Sequence, residues 1–175
     1  WLVSRAARQE GLSMALSGLG GDEVFAGYPN FRRFGLLVKL SSAAALVPRS
    51  VLTALAERTA QPRASHRLRK GVAVAQAEGE PVGVYAALRG HLTETQIGLL
   101  LTEPAAHSVS REEEDRPEWR PASDPLNDFS RLDLAGYMKN TLLRDTDGMS
   151  MASSLEVRVP FLDHQLVEYA LSLPG

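Results

Sequence analysis

The sequence predicts a mostly helical chain carrying one short strand near residues 12–17, and three observations lead there. Apolar residues recur at helical spacing through most of the 175 residues. Met14-Ala15-Leu16 is instead a short continuous apolar run cut off by glycines, as at the end of a buried strand. Hydrophobic residues make up 44% and charged residues 23%, the balance of a globular chain with one core of ordinary size.

Residues 1–10 carry Leu2, Val3, Ala6 and Ala7 at amphipathic spacing, then Gly11 leads into the strand. A chain that starts at Trp1, inside a helix, reads as part of a longer protein. After Tyr28-Pro29, Phe31, Phe34, Leu37 and Val38 recur as one helical face. Pro48 opens the next helix, with Val51, Leu52 and Leu55 expected on its inner side. The basic run Arg63, Arg67, Arg69 and Lys70 reads as a solvated face leading into a helix through Val72 and Val74. Gly79-Glu80-Pro81 is a break. Val84, Tyr85 and Leu88 form a short helix ending at Gly90, and Thr93 with Gln96 has the spacing of a capping box. Residues 103–121 lose the pattern around Arg111-Glu112-Glu113-Glu114-Asp115-Arg116 and read as a surface loop, expected to be poorly ordered. Asp124-Pro125 caps a helix whose buried side is Leu126, Phe129, Leu132 and Tyr137, and a further helical stretch covers about 141–154. Val157-Arg158-Val159-Pro160 is extended, because proline restricts the residue before it. Asp163 caps the last helix, with Leu166, Val167, Ala170 and Leu171 inward.

Composition removes several function classes. A net charge of −2 argues against a nucleic-acid surface. The absence of cysteine excludes disulfides, thiolate zinc sites and thiol catalysis. The four histidines show no helical metal pair. No apolar run reaches the length of a membrane span and no signal peptide is visible, so a cytoplasmic location is expected.

The chemistry concentrates in Ser17-Gly18-Leu19-Gly20-Gly21-Asp22-Glu23. A strand, a glycine loop and a helix start commonly build a phosphate-handling corner. Neither standard phosphate fingerprint is present, since there is no Gly-Lys-Ser/Thr ending and no Gly-x-Gly-x-x-Gly. The acids would repel a bare phosphate, but they suit a divalent cation held between carboxylate and phosphate. The competing account is a tight turn with solvent-facing acids. Glu23 reads as a first-turn acid favoured by the helix dipole, and Phe25, Tyr28, Met149 and Met151 read as packing.

Residues 17–28 resemble the Ser-Gly-x-Gly-x-Asp-Glu-x-Phe-x-Gly-Tyr signature of the asparagine synthetase family. Met149-Ser150-Met151-Ala152, followed by Leu155-Glu156-Val157-Arg158-Val159-Pro160-Phe161-Leu162-Asp163, resembles a second segment of the same family, in the same order. The resemblance implies that the chain is a fragment of an α/β adenine-nucleotide α-hydrolase-like domain, mostly helical itself, with its strand in a parallel sheet. It implies ATP and Mg²⁺ as cofactors, with Ser17 and Gly18 lining the nucleotide pocket and Asp22 holding the metal. It also implies adenylation of the aspartate side chain, and ammonia delivered from glutamine by a glutaminase domain. A homo-oligomer is compatible with it. The family's Ser-Gly-Gly-x-Asp-Ser loop, glutaminase domain and later lysine are not in these residues, so the chain alone is expected to be inactive.

No catalytic side chain can be named from the residues alone. Arg144 and Asp147 have two readings, as a solvated i,i+3 pair with Asp145 nearby or as groups facing an adenylate or a carboxylate. Glu156 and Arg158 flank Val157 on one side of an extended segment, either as a structural ion pair or as substrate contacts. Leu19, Thr141, Asp145 and Gly148 depart from residues common in the family, which bears on the acceptor more than on adenylation. The alternatives are a β-lactam synthetase-type or other adenylating amide ligase, and a non-catalytic helical interaction module.

Overall fold

The structure, a computed structural model, describes residues 1–61, 64–101 and 124–175. The expected loop at 103–121 lies outside these residues, as does Arg63. The chain divides into two compact units, Trp1–Arg32 with Asp124–Gly175, and Arg33–Ser123.

The first unit begins with α1 (Leu2–Gln9), an amphipathic helix with no fully buried residue, then β1 (Met14–Leu16) and the one-turn helix α2 (Gly21–Val24). Helix α3 (Pro29–Ala44) starts here and runs on into the second unit. After Asp124 come α8 (Pro125–Asp133), a π-helix (Leu134–Leu143) and α9 (Arg144–Met151) without interruption. Then follow β2 (Glu156–Arg158), a 3₁₀ turn (Pro160–Leu162) and α10 (His164–Ser172). Two of the caps expected from sequence are in place. Asp124 accepts from the Leu126 N–H at 2.9 Å, and Asp163 accepts from the Gln165 N–H at 3.0 Å, each satisfying an orphan donor of the first turn.

The segment 156–158, expected only to be extended, is a strand pairing with β1 in parallel: Met14 opposite Glu156, Ala15 opposite Val157 and Leu16 opposite Arg158. The core of this unit centres on Phe31 and Phe129, whose rings meet edge to face at 4.5 Å between centroids, an attractive arrangement for two ring quadrupoles. Ser130 Oγ donates to the Glu23 carbonyl at 2.7 Å and ties α8 to the glycine segment.

Three expectations need correction in this unit. Leu126 and Tyr137 are only half-buried, and Met138 takes the fully buried place. The π-helix explains the shift, because i→i+5 bonding carries the inward phase from Asp133 to Met138 instead of to Tyr137. Met149 and Met151 are 51% and 57% exposed, not core, because Ser150 between them faces inward. Phe25 is 56% exposed, and its ring meets the edge of Phe161 with 6.1 Å between centroids.

The second unit holds the rest of α3 with α4 (Arg49–Ala60), α5 (His66–Gln76), α6 (Pro81–Arg89) and α7 (Glu94–Leu100). Phe34, Leu52, Ala56, Val72, Val74 and Val84 are buried. Helix α4 turns Leu52, Ala56 and Thr59 inward and leaves Val51 and Leu55 outward, so its buried face is rotated from the expected one. Ser41 Oγ donates to the Val74 carbonyl at 2.6 Å and accepts from the Gly79 N–H at 2.9 Å, which satisfies a buried hydroxyl on both sides. The α5–α6 turn needs positive φ at Glu78 (51°) and Gly79 (89°), where only glycine is free of strain. The Thr93–Gln96 capping box is present as the sequence predicts. The basic run is not wholly solvated: Lys70 is partly buried and donates to the Leu88 carbonyl, and Arg69 Nε is buried without a hydrogen-bond partner. No helix among the described residues is long and apolar enough to cross a membrane.

Candidate functional site

Parallel pairing places the carboxyl ends of β1 and β2 side by side. The bond from the Ser17 N–H to the Arg158 carbonyl, 2.8 Å, extends the ladder past Leu16 to the first residue of the glycine loop. Two segments about 140 residues apart in sequence, roughly by count, therefore share one edge. In open parallel sheets, ligands bind outside the carboxyl ends of strands.

The loop itself is held from within. Ser17 Oγ accepts from the Leu19 N–H at 3.3 Å, which leaves its own proton free to donate. Gly18 is exposed, and a Cβ there would meet nothing within 4 Å, so no packing excludes a side chain. Gly20 differs: its φ is 93°, and a Cβ would come 2.7 Å from Leu162 Cγ. A Cβ on Gly21 would meet the Phe161 ring at 3.5 Å. The 3₁₀ turn after β2 thus packs directly on the two glycines after β1. Sequence reasoning anticipated backbone freedom in the loop but missed this contact, because the partner lies at the far end of the chain.

Asp22 is exposed in the first turn of α2, and its carboxylate rests on Gly27, where a Cβ would lie 2.8 Å from Asp22 Cγ. Helix α2 is a single turn, shorter than the expected helix start implied, so its dipole offers a ligand little support. Glu23 sits in the first turn as expected, but it is 2% exposed and accepts from the Tyr28 hydroxyl at 3.1 Å. It belongs to the framework behind the loop.

Arg158 Nε donates to Glu156 Oε1 at 2.7 Å, and both side chains are exposed. The two alternate positions of β2 do project to one side, and they form an ion pair. Arg144 Nε lies 3.7 Å from Asp145 Oδ1, so the arginine pairs with its immediate neighbour and not with Asp147 three residues on. Asp147 is exposed, and its carbonyl accepts from Ser150 Oγ at 3.3 Å. Helix α9 packs against β2, and the Leu155 N–H donates to the Ser150 carbonyl at 3.1 Å.

The donor set bears on the metal. Among the described residues no three acidic or histidine side chains come close enough to hold an ion by themselves. One exposed carboxylate at Asp22 does fit Mg²⁺, which prefers one or two carboxylates and completes its shell with water and phosphate oxygens.

Comparison with known proteins covers the whole chain. A family model described as asparagine synthase matches residues 1–175. A protein named glutamine-hydrolyzing asparagine synthetase 3 of Bacillus subtilis is 56% identical over 43 residues, which cover 25% of this chain and 7% of that protein. Glutamine-hydrolyzing asparagine synthetase 1 of the same organism is 25% identical over 99% of this chain and 27% of its own length. A putative glutamine-hydrolyzing asparagine synthetase of Mycobacterium tuberculosis is 29% identical over 100% of this chain and 26% of its own length. Amidase chyE of Penicillium rubens is 26% identical over 98% of this chain and 27% of its length. The chain thus spans about a quarter of the length of the relatives it matches throughout. No solved structure matches it.

Proposed function

The chain belongs to the asparagine synthase family, and on that premise we propose that it forms part of the site where an ATP-dependent ligase activates a carboxylate and converts it to an amide. The observation that carries this reading is the parallel pairing of β1 with β2, which joins the glycine loop and the Glu156–Arg158 segment at one carboxyl edge. Aspartate is the acceptor that the relatives' names favour, and glutamine is the ammonia source those names give.

In this reading Ser17 and Gly18 line the nucleotide pocket. Open space above Gly18 lets a ligand approach the backbone, and the Ser17 hydroxyl has a proton to donate. Asp22 holds Mg²⁺, which when bound neutralises charge on the pyrophosphate. A side-chain carboxylate oxygen of aspartate attacks the α-phosphorus, the bond to pyrophosphate breaks, and an acyl-adenylate forms. Ammonia then attacks the acyl carbon, and AMP leaves with the electron pair of the C–O bond. Such chemistry depends mainly on positioning and charge stabilisation. The Arg158–Glu156 pair either stiffens β2 or turns its guanidinium to an anionic substrate, and Arg144 and Asp147 stay outside the site in this reading.

The sheet supports a larger α/β domain of the adenine-nucleotide α-hydrolase-like kind. Met14 is 44% and Leu16 72% exposed on β1, while parallel strands are normally buried on both faces. Two strands alone are also too few for a stable sheet. Further parallel strands beside β1, with helices over its faces, would account for both.

Aspartate-dependent ATP–pyrophosphate exchange by the intact gene product tests the reading. Exchange is expected in the parent and lost in Asp22→Ala. Unchanged exchange in that variant removes Asp22 from the metal site. A second acceptor is worth testing because one relative is named an amidase and Leu19 departs from the family pattern in the loop. Exchange with another carboxylic acid and none with aspartate would move the chain to that second reading.

A further inference from the structure

The second unit carries a surface cavity, open to solvent, that none of the motif segments reaches. Its volume is about 360 Å³, and residues of α3, α5 and α6 line it. Leu37, Leu40, Val74 and Leu88 supply apolar walls, and Arg67 and Lys70 stand at it from one face of α5. The volume is within the range of small-molecule sites.

The lining has a definite chemistry. Lys70 is partly buried, and one N–H donates to the Leu88 carbonyl, which leaves two ammonium donors for another group. Burial first, and then the neighbouring Arg89, push its pKa down, the situation of a cation set among apolar groups beside another cation. The Ser41 hydroxyl at the cavity is already engaged on both sides, by the Val74 carbonyl and the Gly79 N–H, so it needs nothing from a ligand. Gly71 opens onto the same space in the middle of α5. Glycine is the poorest helix former after proline, yet a Cβ there would meet nothing within 4 Å. Gly71 is exposed, so a larger side chain placed there has room to enter the same space.

We propose that this cavity binds a carboxylate carried on a short alkyl chain, with the carboxylate on Lys70 and the chain along Leu37, Leu40, Val74 and Leu88. The charged and apolar linings complement the two halves of such a ligand, and the site is independent of the adenylation reading.

Calorimetric titration of the full chain with sodium octanoate tests this, with octan-1-ol and inorganic phosphate as the two half-ligands. Octanoate binds saturably at one site, and each half-ligand binds at least about tenfold more weakly. Lys70→Met, which keeps the aliphatic stem, weakens octanoate about tenfold or more, and Lys70→Arg recovers most of the loss. Gly71→Leu fills the cavity while improving the helix, so it abolishes octanoate binding and melts no lower than the parent. Equal binding of octan-1-ol or of phosphate overturns the proposal. So does undiminished octanoate binding in Gly71→Leu, or the absence of saturable octanoate binding.

Discussion

The Asp22 carboxylate lies against Gly27, whose N–H also donates to the Asp22 carbonyl at 2.9 Å, so Gly27 bears on where the candidate metal ligand points. A methyl group on Gly27 would come 2.8 Å from Asp22 Cγ, so Gly27→Ala must turn the carboxylate away. The short side chain has nowhere to bend except about χ1. Expected is a folded protein whose Mg²⁺-dependent nucleotide binding is about tenfold weaker or worse, read by titrating a nucleotide with and without the metal. Gly20→Ala should act on the fold instead. It strains a backbone at φ 93° and drives a methyl into Leu162, at a cost of about 1–3 kcal/mol in chemical denaturation. Arg69 gives the opposite sign. Its Nε is buried without a partner, so Arg69→Met, which keeps the apolar stem, should be neutral or stabilising by up to about 1 kcal/mol. The setting of Ser17, Gly18 and Asp22, a glycine loop between a strand and a helix start, was legible at this scale because its signal lies in one local run. The burial of Glu23 was not, because it depends on Tyr28 and on a carbonyl bond from Ser130, 107 residues away.

At the scale of elements, the capped helices and strand β1 could be read, and the strand that pairs with β1 could not. Asp124, Thr93 and Asp163 announce helix starts within three residues of themselves, a signal that owes nothing to tertiary structure. Strand β2 has three residues, no alternation long enough to detect, and a partner some 140 positions away, so only its proline-imposed extension was visible. The π-helix was hidden for a related reason. Periodicity was read at 3.6 residues per turn, and ten residues at a wider turn move the buried phase. One cap links these elements to the site. Asp163 closes the 3₁₀ turn that seats Phe161 and Leu162 on the glycines, and also starts α10. Asp163→Ala should cost about 1 kcal/mol as a lost N-cap. It should also loosen the glycine loop, seen as faster amide exchange at Gly20 and Gly21 than at the Phe31–Phe129 core. Uniform acceleration across the unit would mean that the cap serves α10 alone.

For the molecule as a whole, charge is nearly balanced, with 19 basic and 21 acidic residues, so acid stability turns on individual carboxylates more than on net repulsion. Arg49 and Glu78 form a bidentate pair, Nε to Oε1 and Nη2 to Oε2, each 2.6 Å. Its hydrogen bond to Arg49, with the guanidinium charge behind it, holds the Glu78 pKa below the ordinary 4.5. The same hydrogen bond raises the pKa of Arg49, so that partner stays charged far into alkali. A carboxylate with a lowered folded pKa contributes stability above its unfolded value and loses it as pH falls through the folded one. The pair's contribution is therefore complete at neutral pH, begins to decline near 4.5 and is lost as pH falls through the lower folded value. Arg49 is largely exposed and Glu78 partly so, and the effect is therefore modest and screened by salt. Glu78→Gln is a clean probe, because glutamine bears the same φ of 51° at the same backbone cost while carrying no charge. Denaturation of the parent and of the variant should differ at pH 7 in low salt, and the gap should close as pH drops below 4.5 or as salt reaches 1 M. A gap that persists through the acid limb would assign the loss to the turn's packing and leave the ion pair without a part in stability.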